Sequence, residues 1–310
     1  MKRVVITPVY EDAVASARLF KELRTALGDT LFIIAVDDGS VREPVDPASL
    51  AAAQADGVVI RLRRNVGHQR AIAVGLSYVA REVDDVEFVV VMDSDGEDLP
   101  ATIAELIKPL QSPDVDVVVA QRRNRVESLR FRIFYQFYKR LFSALSGREI
   151  SFGNFMALKP AAVARLAAMQ ELWVHVAASV LASKLRVVVC PIDRGPRYTG
   201  VSKMNFVGLA LHGFRALMVF ADDVLMRVGI ASACIAALTV IGGIVAILLK
   251  LNDYATPGWF SVALGVLAIV FLQTGALTLM SLMLTGVVRS GSVATTDYRE
   301  FIDQVLRAAR

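Results

Sequence analysis

The side chains best placed to do chemistry lie together in Asp93-Ser94-Asp95-Gly96-Glu97-Asp98, four carboxylates within six positions. They follow an unbroken apolar run, Val89-Val90-Val91-Met92. Such a run, closed by a turn signal, predicts a buried parallel strand. Polar groups at its carboxyl end stand where open α/β sheets bind ligands. Asp93 and Asp95 crowd two negative charges unless something positive comes between them. A hard divalent cation, Mg²⁺ or Mn²⁺, held by carboxylates and by substrate phosphates, meets that need. A ligand-free acidic loop accounts for most isolated Asp-x-Asp pairs, so the remainder of the chain has to carry the argument.

A frame for these carboxylates is legible on both sides of them. Residues 4–7 predict a first strand stopped by Pro8, and 8–12 a loop whose Asp12 caps a helix to about Leu27, ended by Gly28. Residues 31–36 predict a second strand running into Asp37-Asp38-Gly39-Ser40, and residues 58–62 a third. The basic turn 63–70 feeds a helix to about Arg81, residues 88–92 form a fourth strand, Leu99-Pro100 opens a helix, and 115–120 form a further strand. Strands alternating with helices predict βαβ units and a mostly parallel sheet, with one crevice collecting the polar strand ends.

Composition divides the chain. Hydrophobic residues make up 55% of its 310 positions and mean hydropathy is +0.51, too apolar for one soluble domain. Up to about Lys203 the chain reads as a mixed soluble domain. Residues 204–227 read as a weakly amphipathic helix along the membrane surface. Residues 228–249 are uncharged, a helix of about 33 Å at the usual rise, enough to cross a bilayer. Residues 250–259 form a polar turn with Tyr254 and Trp259 at interface depth, and 260–288 are a second uncharged run. Lys203, Arg215 and Arg227 precede this hairpin and Arg289 and Arg299 follow it, so the positive-inside rule places both chain ends in the cytoplasm. The start, Met1-Lys2-Arg3-Val4-Val5-Ile6, lacks the apolar region of a signal peptide. The tail, residues 289–310, carries Phe301, Ile302, Val305 and Leu306 at helical spacing and predicts a last surface helix. A net charge of +4 gives no argument for nucleic acid, and Cys190 and Cys234 give neither metal-ligand spacing nor a disulfide framework.

Four motifs stand in order: Pro8-Val9-Tyr10-Glu11, Val36-Asp37-Asp38-Gly39-Ser40, Arg64-Asn65-Val66-Gly67 and Met92-Asp93-Ser94-Asp95. Together they resemble a family 2 glycosyltransferase of the GT-A fold. Glu97-Asp98 stands where the dolichol-phosphate mannose synthase branch has Gln-Asp-Pro. Arg197-Tyr198-Thr199-Gly200-Val201-Ser202-Lys203 is similar to that branch's Arg-x-x-Gly-x-Ser-Lys loop, and two membrane helices follow, as in bacterial polyprenyl-phosphate glycosyltransferases. The resemblance covers nearly the whole chain and does not specify the sugar.

The resemblance assigns roles. Pro8, Tyr10, Glu11 and Asp37 or Asp38 would hold the nucleoside, a carboxylate accepting from base N–H or ribose hydroxyls. Asn65, Gly67 and Ser94 would join the donor pocket. Asp95 would be the main metal ligand with Asp93 beside it, and Glu97, charged where the family has Gln, would ligate more strongly. Asp98 either belongs to the site or caps the helix at Leu99. Arg122, after its strand, would face phosphate, as would Arg197, Ser202 and Lys203. Residues 128–145 interleave cations and aromatics in a helix suited to the membrane interface, making Arg130 or Arg132 a clamp for a lipid phosphate. His68 reads as a hydrogen-bonding or surface residue, and His175 and His212 lie far from every motif.

Phe152-Gly153-Asn154-Phe155 departs from the family's Gly-Asp-Phe. Asparagine cannot act as a base. A phosphate monoester, with a second pKa of about 6, needs none, whereas a hydroxyl acceptor does. The expectation is a metal-dependent inverting transferase in the bacterial cytoplasmic membrane. It would move a sugar from a nucleotide-sugar, uridine favoured over guanosine, to polyprenyl phosphate, and family likeness implies a tetramer. Transfer to a membrane glycolipid hydroxyl, or a membrane-anchored protein that only binds nucleotide-sugar, are the alternatives.

Overall fold

A computed structural model describes the chain except residues 123–128, 150, 151, 200–205, 255, 257, 292–295, 309 and 310. Of 122, 129–135, 137, 206, 207, 209 and 289–291 only the backbone is described. The described residues form two compact units. One comprises 1–138, 149–219 and 295–310, the other 139–148 and 220–294.

The first unit is an α/β layer structure around an eight-stranded sheet. Its strands are β1 (Lys2–Val9), β2 (Leu31–Asp37), β3 (Asp56–Leu62), β4 (Val86–Val91), β5 (Val117–Arg122), β6 (Met156–Leu158), β7 (Val187–Ile192) and β8 (Ile302–Arg307). The strand order is β7-β5-β6-β4-β1-β2-β3-β8. β1 runs parallel to β2 and β4, β2 to β3, and β5 to β7, while β6 and β8 pair antiparallel with their neighbours. The sheet is therefore mixed, its central strands parallel.

The unbroken apolar runs have a physical cause, since both faces of the sheet are covered. In β2, Ile34 and Val36 pack on one side with Ile72 and Leu76 of α3 (His68–Glu82) and Val163 and Leu166 of α6 (Pro160–Ala167). Leu31, Ile33 and Ala35 pack on the other with Leu19, Phe20 and Leu23 of α1 (Ala13–Leu27) and Ile103 and Leu106 of α4 (Ile103–Ile107). Leu50 of α2 (Ala48–Ala52) joins this second side. Each such aliphatic side chain, fully buried, contributes roughly 1.5–3 kcal/mol. β1 sits where the connections reverse direction, between β2 and β4, and the loops after β1, β2, β3 and β4 all leave from its carboxyl edge. Asp12 precedes α1 without a side-chain cap bond, and Gly28, at φ 70°, ends it.

The tail departs from its expected helix. Residues Tyr298–Phe301 make one tight turn, and β8 then pairs antiparallel with β3, Leu306 opposite Val59 and Val305 opposite Ile60. β3 would otherwise leave a row of backbone groups unpaired at the sheet edge, and an extended segment satisfies them where a helix cannot. Tyr298 is buried, its hydroxyl donating to Glu82 at 2.7 Å, and Phe301 stacks on Trp173 with centroids 5.3 Å apart.

The predicted surface helix at 204–227 is two elements. α8 (Phe206–Met218) ends before Val219, and Asp222, Asp223 and Arg227 belong to the first turns of α9 (Ala221–Leu251). The second unit pairs α9 with α10 (Trp259–Gly291), beside the last turns of α5 (Leu129–Ser146). Arg227 donates to the Ala144 carbonyl at 3.2 Å, closing the end of α5. Both long helices are long and apolar enough to cross a membrane, with mean hydropathies of 2.5 and 2.1. They pack through small residues, Gly229 against Ser281 and Gly242 against Leu267. The hydroxyls of Thr239, Thr274 and Thr285 bond back within their own helices, so these buried groups need no outside partner.

Candidate active site

The loop after β4 turns sharply at Gly96, φ 87°, and its geometry divides the four carboxylates by task. Asp98 is buried and accepts the Asp93 backbone N–H at 3.0 Å. It is thus a strut inside the loop, and Leu99, which precedes the turn opening at Pro100, gives that turn no side-chain cap. Asp95 accepts the Glu97 N–H at 2.9 Å. Burial first, then Asp93 beside it, raises the Asp95 pKa above the usual carboxylate range.

A strap at residues 193–199, directly after β7, lies across this loop. Gly195 N–H donates to the Glu97 carbonyl at 3.0 Å and Tyr198 N–H to the Asp95 carbonyl at 2.8 Å. The Tyr198 ring packs on Gly96, where a Cβ would stand 2.7 Å from ring carbons. Arg18 lies over that ring, 4.2 Å from its centroid, and the Tyr198 hydroxyl donates to Glu22. Arg197 bridges Asp95 at 2.8 Å and Glu97 at 2.9 Å. Arg194 binds Glu97 and reaches Asp98 at 3.6 Å and Asp93 at 4.0 Å. Sequence reasoning missed Arg194. The signal was a cation four residues past the run Val187-Val188-Val189-Cys190, had that run been read as a strand.

Across the switch point, Pro8, Val9, Tyr10, Asp38, Asn65, Gly67 and His68 line one cavity. Tyr10 is 45% exposed there, and an exposed aromatic face suits a planar group. The other carboxylates predicted for nucleoside binding are occupied by backbone. Asp37 accepts from Ser40 N–H and Val45 N–H, both at 2.9 Å. Asp38 accepts from Val66 N–H at 2.7 Å and Gly67 N–H at 3.0 Å, and burial raises its pKa. Glu11 accepts from the N–H groups of Val41, Arg42 and Glu43, which hold its pKa below the usual range. Gly39 is required sterically, because a Cβ would meet the Arg64 carbonyl carbon at 2.5 Å and φ is 69°. These carboxylates order the loops around the cavity, which Asp38 also lines.

His68 links the two halves. Its Nε2 lies 3.2 Å from Asp93 Oδ1 and 3.1 Å from Asn154 Nδ2. Asn154, in the family's carboxylate position, therefore meets the acidic loop through a histidine. His175 and His212, distant from each other in sequence, bring their Nε2 atoms to 3.0 Å.

Arg122 ends β5 opposite Ile192, so its backbone lies beside the start of the strap. Ser94 sits buried between the two aspartates. Arg130 and Arg132 lie on α5, with only their backbone described, and Ser202 and Lys203 fall outside the described residues. Among the described residues no three His, Cys, Asp or Glu side chains stand together as a ready-made metal cluster. The donor set of Asp93, Asp95 and Glu97 nevertheless fits a hard divalent ion: its oxygens already converge on positive charge, with two guanidinium groups standing in for the cation.

Comparison with known proteins agrees with this architecture. A family model described as Glycosyl transferase family 2 matches residues 4–173. The undecaprenyl-phosphate 4-deoxy-4-formamido-L-arabinose transferase of Klebsiella pneumoniae strain 342 is 25% identical over 285 residues, 88% of this chain and 83% of that enzyme. The enzyme of the same description from Salmonella typhimurium is 31% identical over 130 residues, 40% of this chain and 38% of its own length. A crystal structure of glucosyl-3-phosphoglycerate synthase from Mycobacterium tuberculosis with Mn²⁺, UDP-glucose and phosphoglyceric acid superposes with a TM-score of 0.50 at 17% identity. That superposition covers 73% of this chain and 79% of the other. At that identity the likeness shows the fold alone.

Proposed function

This chain belongs to glycosyl transferase family 2, and from that premise we propose that it transfers a sugar, with inversion, from a nucleotide-sugar to a polyprenyl phosphate. The observation that carries the reading is the meeting, at the sheet's switch point, of an acidic loop, a cavity holding Tyr10 and Asn65, and a strap of arginines. The first two suit a nucleoside diphosphate and its cation. The third suits the phosphate of an acceptor. The undecaprenyl-phosphate acceptor for which the Klebsiella pneumoniae relative is named, which aligns along most of the chain, supports the acceptor class.

In this reading the donor base stacks on Tyr10, and Asn65 and the Asp38-ordered turn at Val66–Gly67 hold the ribose side. Asp93, Asp95 and Glu97 would hold Mg²⁺ or Mn²⁺, which supplies charge neutralisation for the departing diphosphate. An acceptor phosphate oxygen attacks the anomeric carbon from the face opposite the diphosphate. One C–O bond forms as the other breaks. Arg122 and Arg197, with Arg130 or Arg132 and with Ser202 and Lys203, position that phosphate. No proton has to be removed from a phosphate that is already anionic, so Asn154 is compatible with turnover. α9 and α10 span the bacterial cytoplasmic membrane and keep the catalytic unit, on the cytoplasmic side, beside its lipid acceptor.

The test is a panel of UDP- and GDP-sugars incubated with polyprenyl phosphate and Mg²⁺ or Mn²⁺, read by mass spectrometry of the lipid fraction. Polyprenyl-phosphate-sugar is the expected product. Sugar appearing only on a neutral lipid hydroxyl would replace this acceptor, and no product with any donor would leave a binding protein.

A further inference from the structure

The strap poses a question of charge. Four carboxylates of the acidic loop meet two guanidinium groups. Arg197 lies in the stretch already assigned to acceptor binding, whereas Arg194 lies outside every motif and yet touches more of the loop. It binds Glu97 and stands 3.6 Å from Asp98 and 4.0 Å from Asp93. Its side chain is only 25% exposed. The strap's backbone, meanwhile, is fastened without it, by the Gly195 and Tyr198 N–H bonds and by the Tyr198 ring on Gly96. The Arg194 side chain can therefore leave the carboxylates while the strap stays in place.

A carboxylate oxygen directed at a guanidinium is not directed at a metal ion, so the two cations compete for Asp93 and Glu97. We propose that Arg194 is the resident counter-cation of the acidic loop, that a divalent metal displaces it, and that the released guanidinium then binds the phosphate of the substrate held at that metal. The proposal builds on the reading of Asp93, Asp95 and Glu97 as a cation site. The guanidinium fork suits phosphate oxygens as well as it suits carboxylate. Because metal and phosphate both favour the released position, each tightens the other by the same factor.

The experiment measures Mn²⁺ binding to the full chain in detergent, without nucleotide, from the loss of the free-Mn²⁺ paramagnetic signal. Arg194→Gln removes the competitor. Arg186→Gln removes an equal charge from the Asp114–Asp116 pair outside the site. Arg194→Gln should bind Mn²⁺ about tenfold tighter, the worth of one charge-assisted hydrogen bond, with Arg186→Gln unchanged. Inorganic phosphate should tighten Mn²⁺ binding in the wild type and much less in Arg194→Gln. Arg194→Lys, which keeps the charge and loses the fork, should hold wild-type Mn²⁺ affinity with a reduced phosphate effect.

Equal Mn²⁺ affinity in wild type and Arg194→Gln overturns the proposal, as does an equal phosphate effect in both. The sugar-transfer panel separates the two readings. Transfer with unchanged Mn²⁺ affinity in Arg194→Gln sinks the displacement idea alone. Tightened Mn²⁺ binding without transfer sinks the assigned reaction and leaves the displacement standing.

Discussion

Acidification should loosen the seat of α8 on the catalytic unit, because a buried histidine and the half-buried one it faces have no place for a proton. His175 precedes α7 (Val176–Ala182), and its Nδ1 accepts the Ala178 N–H at 3.2 Å. The neutral ring therefore carries its hydrogen on Nε2, which faces Nε2 of His212 on α8 at 3.0 Å. His212 accepts there and keeps its own hydrogen on Nδ1, tautomers assigned from this network. A proton added to His175 goes to Nδ1, against the Ala178 N–H. One added to His212 sets two N–H groups face to face. Burial first, then His212, lowers the His175 pKa to about 3, and burial first, then His68, lowers that of His212; Arg215 acts in the same sense on both. The unfolded chain takes up the proton near pH 6.5, roughly its ordinary value. The stability held in this neutral pair is thus complete above about pH 6.5 and is lost as pH falls towards about 3. At about pH 5, roughly 1.5 units below the unfolded pKa, His175 alone accounts for about 2 kcal/mol. For a folded unit of this size that is roughly 4–8 °C in Tm. Trp173, stacked on Phe301 near His175, reports the unit by fluorescence during heating in detergent. His175→Asn keeps a capping oxygen and cannot titrate, so its profile should fall less steeply over the same range, with only the His212 contribution of the pair left. Equal wild-type midpoints at about pH 5 and about pH 7.5, or an undiminished slope in His175→Asn, would refute the reasoning.

Asp95→Asn should lower transfer from a labelled donor by at least about a hundredfold, and EDTA should do the same to the wild type; full activity in EDTA removes the metal role. Gly96→Ala must place a Cβ 2.7 Å from the Tyr198 ring at φ 87°, so it should cost about 1–3 kcal/mol and speed hydrogen exchange at Gly195 and Tyr198; unaltered exchange would mean that the strap does not rest on this glycine. With Cys190 and Cys234 replaced by alanine, an impermeant maleimide added outside intact cells should label Asp253→Cys and spare Ser290→Cys, and the reverse pattern inverts the topology. Arg122→Ala should raise the KM for polyprenyl phosphate about tenfold or more with donor affinity retained; a loss of donor affinity instead would move Arg122 to the other side of the site.

Features whose signals are local were legible in the order of residues. Each central strand is a short apolar run stopped by a polar turn, and the runs are unbroken because helices cover both faces of the sheet. Gly28 marks the end of the first helix, and the long uncharged stretches near 228–249 and 260–288 mark helices that could cross a membrane. The motif order placed the acidic loop, the Asp37–Ser40 turn and the Arg64–Gly67 turn at one sheet edge. Which group each polar atom meets depends on segments distant in sequence and emerges only on folding. Asp38 is spent on the N–H groups of Val66 and Gly67, nearly thirty residues on, and Asp98 turns back to the Asp93 N–H. Arg194 was invisible because its partner Glu97 lies 97 residues upstream, and His175 finds His212 only because α8 folds back over α7. The tail shows the limit most clearly. Phe301, Ile302, Val305 and Leu306 fit a helical stripe as well as a strand, and the choice fell to the open edge of β3, whose unpaired backbone groups an extended chain can satisfy and a helix cannot.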